Sequence, residues 1–126
     1  MNYSPRTASH TDTVILAEAR QIYNSALMDS IRAAHNTGQP VTVKLGDYTV
    51  QYEPIAFSGF TSFGINDFVI GKDAFASEFE LKKTLLHELY RLHHSELAKG
   101  GGVDKHVIRA ETDAAFQFAE RLYELI

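Results

Sequence analysis

The sequence predicts a small single α+β domain, with a three- or four-stranded, mostly antiparallel sheet packed by three helices. Three observations predict it. Apolar residues recur at helical spacing toward both ends of the chain, and two short central stretches alternate apolar and polar residues around a glycine turn. No repeat and no shift in composition divides the 126 residues into separate units.

The first ten residues carry Ser, Pro, Arg and Thr without periodicity and read as a leader or linker, so the domain is expected over residues 12–126. Thr11 or Asp12 is placed to cap a first helix running to about His35. Ile15, Ala19, Ile22, Tyr23 and Ala26 form its apolar face. Gly38, followed by Pro40, ends it through a left-handed cap. Val41, Val43 and Leu45 then alternate with polar residues, Gly46-Asp47 turns the chain, and Tyr48, Val50 and Tyr52 alternate again. Residues 55–71 are rich in Phe and Ile and supply one or two further strands, the last being Phe68-Val69-Ile70. Ser77 followed by Glu80 is a capping box that opens a helix to about Lys99. Gly100-Gly101-Gly102 separates this helix from a final one beginning near Lys105.

Composition excludes several function classes. With 44% hydrophobic and 22% charged residues the chain is not disordered, and 126 residues suffice for a core without staples. The absence of cysteine removes a disulfide scaffold, a thiolate zinc site and a cysteine nucleophile. No apolar run approaches the ~20 residues that span a bilayer, and Met1 to Arg6 lack a signal-peptide core. Twelve basic and sixteen acidic residues give a net charge of −4, which weighs against a nonspecific phosphate-backbone binder but leaves a local basic site open.

The chemistry concentrates on the last two helices. At about 100° per residue, Leu81, Leu85, Leu86, Leu89, Tyr90, Leu92 and Leu97 fall on one half of the helix over 77–99. Thr84, His87, Arg91, His94 and Ser95 fall on the other half, and Glu88 lies at the seam. A solvated face is usually Lys- and Glu-rich, so a stripe of His87, Arg91 and His94 points to a site. In the final helix Glu111 sits within the apolar face of Val107, Ala114, Ala115, Phe118 and Leu122, where a carboxylate requires a partner. An antiparallel pairing of the two helices would bring Glu111 toward the His87–Arg91 turn, either as a structural ion pair with Arg91 or as part of a cleft. Asp113 points away.

His87-Glu88 is the first half of the H-E-x-x-H zinc signature, but Arg91 occupies the second histidine position and cannot ligate a metal. His94 lies about 10.5 Å along the helix from His87, too far to share one ion. No cofactor is therefore expected. Zinc would require recruitment of Glu111 with His10, His35 or His106. Without a metal, a histidine, carboxylates and an arginine suffice to cleave RNA through its own 2′-hydroxyl. Phe57, Phe60, Phe63 and Phe68 read as core residues, with base stacking as the alternative.

The stretches Ile70-Gly71-Lys72-Asp73-Ala74-Phe75, Leu81 with Thr84 to Leu92, Ser95 and Glu111 to Phe116 with Phe118 to Arg121 resemble the C-terminal toxin domains of bacterial polymorphic toxins. These are the variable tips of contact-dependent growth inhibition and Rhs-type proteins, and the resemblance covers about residues 68–123. It implies a toxin delivered by a larger bacterial surface protein, acting in the target-cell cytoplasm and neutralised by a cognate immunity protein. The capped His-Glu helix followed by a helix with a glutamate is also similar to the minimal core of zincin metallopeptidases. His87 and Glu88 match that motif and Arg91 departs from it. The expected function is thus hydrolytic, with metal-independent RNA cleavage ranked above a zincin-like peptidase and above a non-enzymatic target-binding domain. His87, Glu88, Arg91 and Glu111 are assigned as catalytic, with His94, Ser95 and Thr112 as substrate-binding.

Overall fold

The computed structural model describes residues 10–45, 48–62, 67–94 and 105–126, and side chains over 11–44, 48–59, 67–93 and 113–126. The described chain forms α1 (His10–Tyr23), α2 (Ala26–Thr37), β1 (Val41–Leu45), β2 (Tyr48–Glu53), β3 (Gly59–Ser62), β4 (Asp67–Gly71), α3 (Glu78–His94) and α4 (Lys105–Leu122). It is an α+β domain. The Gly46-Asp47 turn and the glycine loop lie outside the described residues, as does the expected leader apart from its last residues. Helix α1 begins at His10, two residues earlier than expected.

The expected first helix is two helices. Asn24 Nδ2 donates to the Arg20 carbonyl at 2.9 Å and Ser25 Oγ donates to the Ile22 carbonyl at 2.8 Å. These short polar side chains satisfy the carbonyls that a continuing helix would use, and Ser25 turns to an extended conformation. The C-terminal stop falls as expected. Gly38 adopts φ 69° and its N–H meets the Ala34 and His35 carbonyls.

The sheet order is β1-β2-β4-β3. β1 pairs antiparallel with β2 and β3 antiparallel with β4, but the central β2–β4 pair is parallel, so the sheet is mixed. The apolar run Phe68-Val69-Ile70 takes the central position, where both faces are covered, and the glycine-led β3 takes the edge. Residues 55–58 carry the chain past β4. The Gly71 N–H donates to the Ser58 carbonyl and the Lys72 N–H to the Ile55 carbonyl. This strap needs glycine at position 71, because a Cβ there would stand 2.0 Å from the Phe57 oxygen.

Register places Val41 and Val43, Val50 and Tyr52, and Phe68 and Ile70 on one face with Gly59. That face meets the buried sides of α2 and α3, where Ile31, Leu81, Leu85 and Leu89 are fully enclosed. Ile15, Ala19 and Ile22 of α1, with Phe118, Ala119 and Leu122 of α4, complete the same core. Phe68 belongs to it, as expected for this aromatic. Phe60 and Phe63 lie outside the residues whose side chains are described.

Candidate active site

Helix α3 runs through the centre of the domain and carries the candidate residues. Its start is fixed by Ser77 Oγ, which accepts the Glu80 N–H at 3.2 Å, as the capping box requires. Its rotation is fixed by the enclosed leucines at 81, 85, 86 and 89. The remaining face meets the edge strand β3 on one side and α4 on the other. A cleft of about 200 Å³ opens where the three elements converge, with His87 and Glu88 in its wall.

Glu88 is 3% exposed, and its Oε2 lies 3.9 Å from His87 Nε2. The backbone of β3 comes so close that a Cβ at Gly59 would stand 3.2 Å from Glu88 Oε2 and 3.1 Å from the Thr84 methyl. Thr84, placed with the polar stripe by its helical position, is in fact buried. Its hydroxyl donates to the Glu80 carbonyl at 2.8 Å, which lets its methyl pack against the sheet. His87 is largely enclosed, and its Nδ1 has no hydrogen-bond partner among the described residues. Burial, with the positive charge of Arg91 one turn away, pushes the His87 imidazole down to about 4. At neutral pH the ring is uncharged, with a lone pair able to accept a proton.

The opposite end of the cleft is polar and mostly acidic. Lys83 Nζ lies 2.9 Å from Glu120 Oε1 and 3.3 Å from Glu80 Oε1. The hydrogen bond to Glu120, then that to Glu80, raises the Lys83 pKa above its ordinary value. The Phe116 ring flanks His87 with a centroid separation of 4.5 Å and is itself exposed.

Lys83 pairs with Glu120 and His87 with Phe116, so four residues forward on α3 match four residues back on α4. The helices are therefore antiparallel. Continuing that register brings the α4 backbone at 111–112 alongside the Arg91 turn. The side chains of Glu111, Thr112 and His94, and all of Ser95, lie outside the described residues. Asp113 is exposed, as expected.

Zincin-like chemistry would need a metal, and the described residues assemble no donor set for one. His87 supplies one imidazole, Arg91 stands where the second should be, and no group of three His, Cys, Asp or Glu among the described residues is arranged to hold an ion. Comparison with protein-family models, with curated proteins and with solved structures returns no match.

One cluster escaped the sequence reading. His93 Nε2 lies 2.8 Å from Glu18 Oε1, Tyr48 donates to Glu18 Oε2 at 2.5 Å, and Tyr48 stands 3.1 Å from His93 Nε2. It joins α1, β2 and the end of α3. A signal was present: Glu18 falls one turn from Ile15 and Ile22, and His93 one turn from Leu89. Polar residues at such positions on two helices require each other.

Proposed function

We propose that this domain is a hydrolytic antibacterial toxin effector that cleaves RNA without a metal, using the His87–Glu88 cleft. The observation that carries the reading is an imidazole held neutral beside a buried carboxylate, with a guanidinium on the next turn. His87 takes the proton of the ribose 2′-hydroxyl. The 2′-oxygen bonds to phosphorus, the bond to the 5′-oxygen breaks, and that oxygen leaves with a proton drawn from water. The products are a 2′,3′-cyclic phosphate and a 5′-hydroxyl. Arg91 stabilises charge on the phosphoryl oxygens, and Glu88 stabilises the imidazolium as it forms. A phosphate at Arg91 also offsets the positive charge that helps keep His87 weakly basic, so substrate binding strengthens the base. The toxin assignment is supported by the resemblance over residues 68–123. With it come the proposed action in a target-cell cytoplasm, delivery by a larger surface protein and control by an immunity protein. No helix among the described residues is long and apolar enough to cross a membrane.

Inducible expression in a bacterium tests the reading. Growth should stop with cleavage of tRNA or rRNA to cyclic-phosphate ends, and His87→Ala should abolish both at an unchanged melting temperature. Arrested growth with intact RNA overturns it.

A second reading, a zincin-like peptidase, draws on one observation. The antiparallel edge strand β3 lies directly beside the His-Glu helix, with an acidic rim at Glu80 and Glu120. Stoichiometric zinc in the purified protein and cleavage of a polypeptide would favour it over RNA cleavage.

A further inference from the structure

We propose that the end of the cleft formed by Glu80, Lys83, Glu120 and the ring of Phe116 is a base-recognition subsite, and that it selects guanine at the nucleotide whose 2′-hydroxyl attacks. The inference rests on the RNA-cleavage reading and names the substrate within it.

Charge along α3 is separated. Arg91 lies one turn beyond His87 toward the end of α3, whereas Glu80 and Glu120 flank Lys83 one turn before it. A polyanion laid along the whole cleft would meet two carboxylates. One phosphate held beside His87, toward Arg91, with its base beside Lys83, keeps its charge away from both. The acidic rim that disfavours a phosphate backbone therefore suits the donor edge of a base.

The aromatic ring supports this placement. Phe118 of α4 is buried in the core, but Phe116 is 58% exposed at the cleft mouth beside His87. An apolar ring left in water there offers a stacking surface for a base, the usual role of aromatics that bind single strands. Glu120 follows one turn later on α4, about 6 Å along the axis, so its carboxylate is placed for the edge of a base stacked on Phe116. The cleft volume of about 200 Å³ is below the roughly 300–1,000 Å³ of sites for drug-sized ligands, which suits one ring system.

The donor pattern selects among bases. The ion pairs to Lys83 use Oε1 of each carboxylate, so an acceptor pair and an ammonium donor stand side by side. Guanine presents two adjacent donors, N1–H and the N2 amino group, next to the O6 acceptor. A carboxylate accepts both donors in bidentate fashion while the ammonium meets O6. Uracil offers a single N3–H between two carbonyls. Cytosine and adenine each offer an amino group beside a ring-nitrogen acceptor, so neither fills both carboxylate oxygens.

The test uses four otherwise identical DNA strands, each with a single ribonucleotide (G, A, C or U), and the full chain. The guanosine strand should be cut at least tenfold faster than the uridine strand, and Glu120→Gln should bring that ratio close to one. Calorimetry should show guanosine 3′-monophosphate binding at least tenfold tighter than uridine 3′-monophosphate. Phe116→Ala, a change at an exposed position, should weaken binding of the guanosine nucleotide at least fivefold at an unchanged melting temperature. Equal cutting of all four strands, or a ratio that Glu120→Gln leaves intact, overturns the subsite while RNA cleavage stands. Preferential binding of the guanosine nucleotide with no strand cut supports the subsite and overturns cleavage. No cutting and no preference overturns both.

Discussion

His93 Nε2 lies 2.8 Å from Glu18 Oε1, which ties the end of α3 to α1 across 75 positions of sequence. Tyr48 donates to the other oxygen of the same carboxylate, so three elements share one half-buried acceptor. The cluster ties the helix that carries His87 and Glu88 to α1 and β2. Hydrogen bonds to charged groups contribute about 1.5–3 kcal/mol, less where water reaches them, and His93 and Glu18 are each about a quarter exposed. Glu18→Gln and Tyr48→Phe should each destabilise the domain by about 1 kcal/mol in urea denaturation. A double-mutant cycle should give a coupling above ~0.5 kcal/mol. Strict additivity would mean that the three groups do not act together.

Gly59 is the next point of sensitivity. A Cβ there would stand 2.7 Å from the Val69 carbonyl oxygen, a backbone atom that cannot swing aside, as well as against Thr84 and Glu88. Gly59→Ala should cost about 1–3 kcal/mol, the range for overpacking a filled interior. It should also lower the proposed RNA cleavage more than tenfold by displacing the Glu88 carboxylate. A variant with full activity and an unchanged melting temperature would show that β3 does not set the position of Glu88.

Acid should weaken the fold in two stages. His87 takes up a proton near 6.5 in the unfolded chain but only near 4 in the fold, so between these values the unfolded state binds more protons and stability falls as pH drops. The full difference is about 3 kcal/mol. Glu78 is held at about 2 by hydrogen bonds from Arg32 and Tyr23, so its contribution is present above 4.5 and is lost as pH falls from 4.5 toward 2. Urea midpoints of the wild type should decline from pH 7 to pH 4, and those of His87→Gln should stay nearly flat over that window. Parallel profiles for the two proteins would place the effect elsewhere.

An immunity protein of the kind the proposed function implies, if it covers the His87–Arg91 stripe of α3, must be complementary to its positive charge. Tight inhibitors commonly bury roughly 1,600 Å² around a few central anchors, and Arg91 is the candidate anchor for an acidic partner. Arg91→Glu should weaken such a complex at least tenfold by surface plasmon resonance. If it abolishes toxicity with inhibitor affinity unchanged, the inhibitor docks away from the site.

Much of this arrangement was legible because it rests on local rules. The capping box at Ser77, the left-handed Gly38 and the alternation through β1 and β2 each depend on near neighbours in sequence. The parallel β2–β4 pair was not legible. Alternation assigns a face to each residue but not a neighbour to each strand, and β4 reaches the centre only because the strap at 55–58 carries the chain past it. Thr84 was misplaced, and the full burial of Glu88 at its seam went unread, for a related reason. A helical projection shows direction around one axis, and it does not show that a glycine strand lies close enough to bury both. The break at Asn24-Ser25 was written in the sequence, but the apolar spacing on either side masked it.

The cleft has three walls, and they are synthesised in the order β3, α3, α4. A nascent chain that has completed α3 already contains the His-Glu pair but lacks Phe116 and Glu120, and the helix that covers the outer side of α3 has not yet been made. A chain stopped after α3 would therefore hold the His-Glu pair without the aromatic ring and the carboxylate that face it from α4. The cleft is complete only when α4 docks on α3, and under the proposed function that docking sets the earliest moment at which an inhibitor has a finished site to occupy.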